Sequence, residues 1–171
     1  MKIHRSNAAL TAFFLSIALV LAGCTTDGGS PSDSPMGQSS DIGGNMPKVS
    51  GAAGSAPEIT APQGNPPTQL VTEDIFMGDG ATAEANSTLT VHYTLMAWST
   101  GEVVESSWVG EAATFGLNQV ISGWQQGIPG MKVGGRRLLV IPPDLGYGAA
   151  GGGPIGPNET LIFVVDLLAV S

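Results

Sequence analysis

The sequence predicts an α+β domain, an antiparallel sheet curled around one short helix, preceded by a disordered linker. Three observations predict it. All eight aromatic residues beyond the first 23 positions fall within 76–163, so everything able to build a core lies in residues 71–171. Within that stretch the apolar pattern mostly repeats every second residue, the period of a half-buried strand. Only one segment, 122–126, reads as helix, with Ser122 as its expected N-cap and Pro129 closing the far side.

The chain opens with Lys2 and Arg5, then an apolar run over 8–23 that ends in Leu21-Ala22-Gly23-Cys24, the form of a bacterial lipobox. That run is 16 residues long and is interrupted by Thr11 and Ser16. A spanning helix wants about 20, so residues 1–23 read as a cleavable signal peptide. Cys24 is the only cysteine, which rules out an internal disulfide and leaves it as the expected lipid attachment site. One acyl chain binds membranes marginally; a bacterial lipoprotein cysteine carries at least two. The expected location is the outer face of the cell membrane, lipid-anchored and extracytoplasmic.

Residues 25–70 hold 7 Pro, 8 Gly and 7 Ser in 46 positions and no aromatic residue. Such a composition buries too little apolar surface to offset its conformational entropy. The lipidated stretch 24–70 is therefore expected to be a disordered spacer, reaching on the order of 40 Å as a flexible coil. In the domain beyond it, Leu89, Val91 and Tyr93 alternate with Thr90, His92 and Thr94 as one strand. Residues 137–141 form a second, stopped by Pro142-Pro143, because proline cannot donate to a ladder. The run 161–170, broken only by Asp166, reads as a central strand covered on both sides.

Charge and composition exclude several function classes. Loss of residues 1–23 leaves four basic residues against 14 acidic ones, a net charge of −10. That balance argues against nucleic acid as a partner and against a polybasic grip on anionic lipid. His92 is the one histidine beyond the signal, and it falls on a strand, so neither a histidine triad nor a His/Cys metal cluster is available. The expected cofactor is none. Gly151-Gly152-Gly153-Pro154-Ile155-Gly156 matches GxGxxG, but Pro154 and Pro157 forbid the helix that must open there. Asp144 and Glu159 read as solvated loop acids, and the Asn-x-Ser/Thr matches at Asn86 and Asn158 carry little weight.

What remains is aromatic and aliphatic residues at turns and strand ends, interleaved with glycine. His92-Tyr93-Thr94, Glu105-Ser106-Ser107, Val120-Ile121-Ser122-Gly123-Trp124 and Met131-Lys132-Val133-Gly134 follow one another. Ile141-Pro142-Pro143-Asp144-Leu145-Gly146-Tyr147-Gly148 and Pro157-Asn158-Glu159-Thr160-Leu161-Ile162-Phe163 complete the series. In this order and near-family spacing they resemble the FKBP family of peptidyl-prolyl isomerases over essentially all of 71–171. The resemblance implies an isomerase acting on proline-containing polypeptides, here assisting the folding of exported proteins, as an expected monomer. It implies Trp124 as the pocket floor, with Tyr93, Val104, Phe115, Val120 and Phe163 as walls. The Ile121 N–H and the Tyr147 hydroxyl would hold substrate carbonyls, Glu105 would stand where the family has aspartate, and Ile155 would lie in the loop over the mouth. Three departures from the family stand out: Val104-Glu105 stands in place of Phe-Asp, Leu95 in place of glycine, and Ala113 near an expected phenylalanine. The rival reading is a peptide-binding module or chaperone of the same fold without catalysis, which an assay on proline peptides separates. Trp98 and Trp108 are expected either at the rim or packing their own loops.

Overall fold

The structure, a computed structural model, describes residues 45–171. Eight strands and one helix follow in chain order: β1 (Val49–Ser50), β2 (Glu58–Ile59), β3 (Val71–Phe76), β4 (Thr88–Ala97), β5 (Val103–Ser106), β6 (Ala113–Gly116), α1 (Ser122–Gly127), β7 (Arg136–Ile141) and β8 (Leu161–Val170). Six of the strands make one antiparallel sheet in the order β3-β7-β8-β4-β5, with β6 pairing the first half of β4. This is the antiparallel sheet with one short helix that the sequence predicts.

The two-residue period divides the sheet into two apolar faces. Leu161, Phe163, Val165 and Leu167 of β8 join Leu89, Val91 and Leu95 of β4 and Leu139 and Ile141 of β7 in the core on the helix side. Ile162 and Val164 turn the other way, with Met96, Trp98, Leu138 and Val140. The central position of β8 explains its nearly unbroken apolar run. Helix α1 lies close to the sheet because Gly123 and Gly127 face β7; a Cβ on either would overlap Ile141 or Leu139. The helix N-cap is Ile121 rather than Ser122, and no side chain caps it. Its carbonyl accepts from the N–H groups of Trp124 and Gln125 at 3.0 and 3.2 Å, so the one-turn helix begins on backbone alone.

The second face is covered by residues 45–70, and here the spacer expectation is corrected. β1 and β2 form a small hairpin, Val49 opposite Ile59. Met46, Val49 and Ile59 pack on the second core together with Val71 and Ile75 of β3. Two polar anchors fix this strap. The Trp98 indole N–H donates to the Gly64 carbonyl at 3.1 Å. Arg136, fully buried, donates through Nε and Nη2 to the two carboxylate oxygens of Asp166 at 2.6 and 2.8 Å, and through Nη2 to the Ser55 carbonyl at 2.6 Å. Its guanidinium also lies 5.6 Å from the centroid of Phe76. Pro, Gly and Ser make this segment poor at building its own core, yet it needs none when the sheet supplies the apolar surface and a buried cation takes its carbonyls. Cys24, the signal segment and the rest of the expected linker lie outside the described residues.

Candidate active site

Helix α1 carries Trp124 into the helix-side core, where it is only 3% exposed. Three rings meet it edge-on: Phe163 of β8 at 5.3 Å between centroids, Tyr93 of β4 at 5.9 Å and Phe115 of β6 at 6.0 Å, with interplanar angles of 86–87°. Edge-to-face contact sets the positive edge of one ring against the negative face of another. Tyr93 also lies 6.2 Å from Phe115 and 6.1 Å from Phe163, closing an aromatic box. Val104, Val120 and Ile121 are partly buried against the same cluster, and Ile155 is buried within it. The residues expected around a proline pocket are thus gathered from β4, β5, β6, α1, β8 and two loops.

The Trp124 Nε1–H is buried with no partner among the described residues. The Trp108 Nε1–H is unpartnered in the same way. At the rim, the Tyr93 hydroxyl donates to Glu105 Oε1 at 2.6 Å. Burial, and then the bonded Glu105 carboxylate, push the Tyr93 phenol well above its ordinary value near 10, so it remains a neutral donor. Tyr147 stands 43% exposed after the proline-bounded turn, its ring against Gly152 where a side chain would collide. Gly152 and Ile155 pair across the tight turn 152–155, which draws Ile155 inward.

Sequence reasoning missed the supports behind these residues. Ser107 Oγ accepts from the Tyr93 N–H at 2.9 Å and meets His92 Nδ1 at 3.0 Å, while His92 stacks on Trp108 at 4.2 Å and 19°. Ser106 Oγ lies 3.1 Å from Thr94 Oγ1. The Ser-Ser pair therefore fastens β5 to β4 beside Tyr93; the adjacency of two serines in the motif was its only signal. Trp108 packs its own loop, and Trp98 belongs to the strap rather than to the rim. Among the described residues no three His, Cys, Asp or Glu side chains converge. Asp144 and Glu159 do not pair: Glu159 accepts instead from the Ser99 N–H and hydroxyl.

An open groove of about 750 Å³ lies elsewhere, between the strap and β3, with Trp98 at one wall. None of its lining residues is ionisable. The aromatic box is the better site because several elements converge there on one buried ring.

Fold and box together define a prolyl isomerase scaffold. A family model described as FKBP-type peptidyl-prolyl cis-trans isomerase matches residues 80–168, and the chain belongs to that family. It is 56% identical over 119 residues to an FK506-binding protein of Streptomyces anulatus, covering 67% of this chain and 96% of the relative. A probable FK506-binding protein of Corynebacterium glutamicum is 47% identical over 114 residues, covering 66% and 97%. Among solved structures, FkpA from Escherichia coli aligns with a TM-score of 0.58 at 40% identity, over 61% of this chain and 49% of FkpA. This chain thus spans about half the length of that protein. AtFKBP13 aligns at 0.56 and 33% identity, over 62% of this chain and 96% of that one.

Proposed function

We propose that this FKBP-type isomerase is lipid-anchored through Cys24 outside the cytoplasm and turns X-Pro bonds of exported polypeptides during their folding. The observation that carries the isomerase site is the box of Tyr93, Phe115 and Phe163 edge-on to a buried Trp124.

Rotation about an X-Pro amide breaks no covalent bond, so the chemistry asks for neither nucleophile nor metal. The barrier is lost resonance, about 18–20 kcal/mol in a free amide. A twisted amide is less dipolar than a planar one. A dry apolar enclosure therefore favours the transition state over the ground state. Trp124 is the floor beneath the proline ring; Phe115, Phe163, Val104 and Val120 exclude water around it. The Ile121 N–H stands at the start of α1, where first-turn N–H groups have no partner within the helix, and holds one substrate carbonyl. The exposed Tyr147 hydroxyl holds another. Tyr93, kept neutral and bonded to Glu105, presents an ordered polar edge to the turning bond. Val104 in place of the family's phenylalanine leaves that wall thinner.

The test is the rate of cis-trans exchange in a proline peptide. Trp124→Ala in a folded chain is expected to lower kcat/KM more than tenfold; unchanged activity would move the site elsewhere. The anchor is supported by the lipobox and the lone cysteine. Cys24→Ala is expected to abolish lipid labelling and release the protein from membranes, and a mutant that stays labelled would refute that anchor.

A further inference from the structure

We infer that Glu105 is a specificity-determining residue, selecting X-Pro segments that carry a cationic side chain next to the proline and disfavouring anionic ones. This rests on the isomerase reading of the aromatic box. The Tyr93 hydroxyl holds Glu105 Oε1 at 2.6 Å, which fixes the carboxylate at the rim of the box; among the described residues Oε2 accepts nothing. Glu105 is exposed, so the free oxygen can meet substrate.

Among the described residues no Lys or Arg forms an ion pair with it. Residues 88–127 and 138–171, which supply every wall of the box, contain no Lys or Arg. The acids they contain besides Glu105 include Glu102, Glu111 and Asp144, whereas Asp166 is neutralised by Arg136 on the opposite face of the sheet and Glu159 is held by Ser99. Of the four described cations two are committed to acids elsewhere, and the other two lie outside the segments that wall the box. Arg136 is buried on Asp166 and Arg137 is paired with Asp74 at 2.7 Å. Lys48 sits on the strap, and Lys132 in the turn before β7. A client chain entering the box therefore meets the uncompensated carboxylate of Glu105, aimed by a hydrogen bond rather than moving freely. Such a field raises capture of cations and rejects anions, and salt weakens it.

The test uses three peptides, identical except for Lys, Leu or Glu before the proline, with exchange followed by NMR so that no protease reads the variable residue. At about 0.01 M ionic strength, where the Debye length is about 30 Å, kcat/KM for the Lys peptide should exceed that for the Glu peptide about fivefold, which converts to about 1 kcal/mol. At about 1 M, with a Debye length of about 3 Å, the ratio should approach one. Glu105→Gln keeps a carbonyl for the Tyr93 hydroxyl and removes the charge, so the low-salt ratio should collapse whatever the absolute rate. Equal rates on the Lys and Glu peptides in the native chain, or a ratio that survives Glu105→Gln, would overturn the inference. The salt series needs no variant and decides the matter if Glu105→Gln fails to fold. Inactivity on all three peptides would overturn the isomerase reading itself, whereas activity without preference overturns only this one.

Discussion

Tyr93 joins three roles in one side chain: a wall of the box, a donor to Glu105, and a phenol held neutral by burial and by the carboxylate it bonds. Its raised folded-state value has a consequence for stability with a definite sign. The folded state holds the phenolic proton more tightly than the unfolded chain does, so this contribution is complete below about pH 10 and is lost as pH rises through the folded value. Stability should therefore fall above about pH 10, and Tyr93→Phe should flatten that decline even if it lowers stability at neutral pH. Urea unfolding of both proteins between about pH 8 and 11 measures the difference in slope; parallel curves would show that the phenol is not coupled to folding. The Glu105 contact was only half legible beforehand. The motif placed Glu105 beside two serines, but its bond to Tyr93 depends on pairing of β4 with β5, with Leu95 opposite Glu105.

At the scale of elements, β7 and β8 show how a single cross-strand pair fastens a separate segment. Arg136 and Asp166 are directly opposite in register, on the face away from α1. Their bidentate pair leaves guanidinium hydrogens free for the strap, which supplies the Ser55 carbonyl at 2.6 Å and the Gly51 carbonyl at 3.4 Å. Removing one partner of a buried pair strands the other without water, and that typically costs about 3–5 kcal/mol. Arg136→Met should destabilise the domain by that amount. The double variant Arg136→Met, Asp166→Leu should recover much of the loss, since an apolar pair of similar size leaves no buried charge. Chemical denaturation of the two variants tests this, and equal stability of single and double variants would refute it. In the sequence Asp166 is a lone acid breaking an apolar run; that Arg136 rather than Arg137 meets it follows from the register of β7 on β8.

For the molecule as a whole, the domain is larger than the aromatic-rich region that suggested it. Residues 45–70 cover the second sheet face with Met46, Val49 and Ile59 and engage Trp98 and Arg136. Partial burial of three such side chains stabilises by roughly 3–5 kcal/mol, taking about 1.5–3 kcal/mol for each when fully buried. One kcal/mol moves Tm by about 3–6 °C in a domain of this size, between the ranges for smaller and larger domains. Joining residue 44 directly to residue 71 should therefore lower Tm by about 10 °C or more and expose Leu138, Val140, Ile162 and Val164 to a hydrophobic dye. Calorimetry with dye binding checks both; an unchanged Tm would mean that the strap lies on the sheet without stabilising it. The isomerase box, on the opposite face, should keep its activity at temperatures where the shortened domain stays folded.

Fold class, the central place of β8, the single helix and the family were legible in the residues alone, because each is written locally. A two-residue apolar period marks a strand, proline ends it, and glycine-bounded aromatic motifs repeat in order whatever lies far away. That Trp124, Tyr93 and Phe163 belong together was implied by the resemblance to the family; their edge-on packing is seen only in the fold. The extent of the domain, the start of α1 on Ile121, the stack of His92 on Trp108 and the fastening of the strap emerge from the folded chain. Composition counts what a segment can bury with its own residues. The order of residues 45–70 comes instead from surface and charge supplied by Trp98, Leu138, Arg136 and Asp166, tens of positions further along the chain, and no local count contains that contribution.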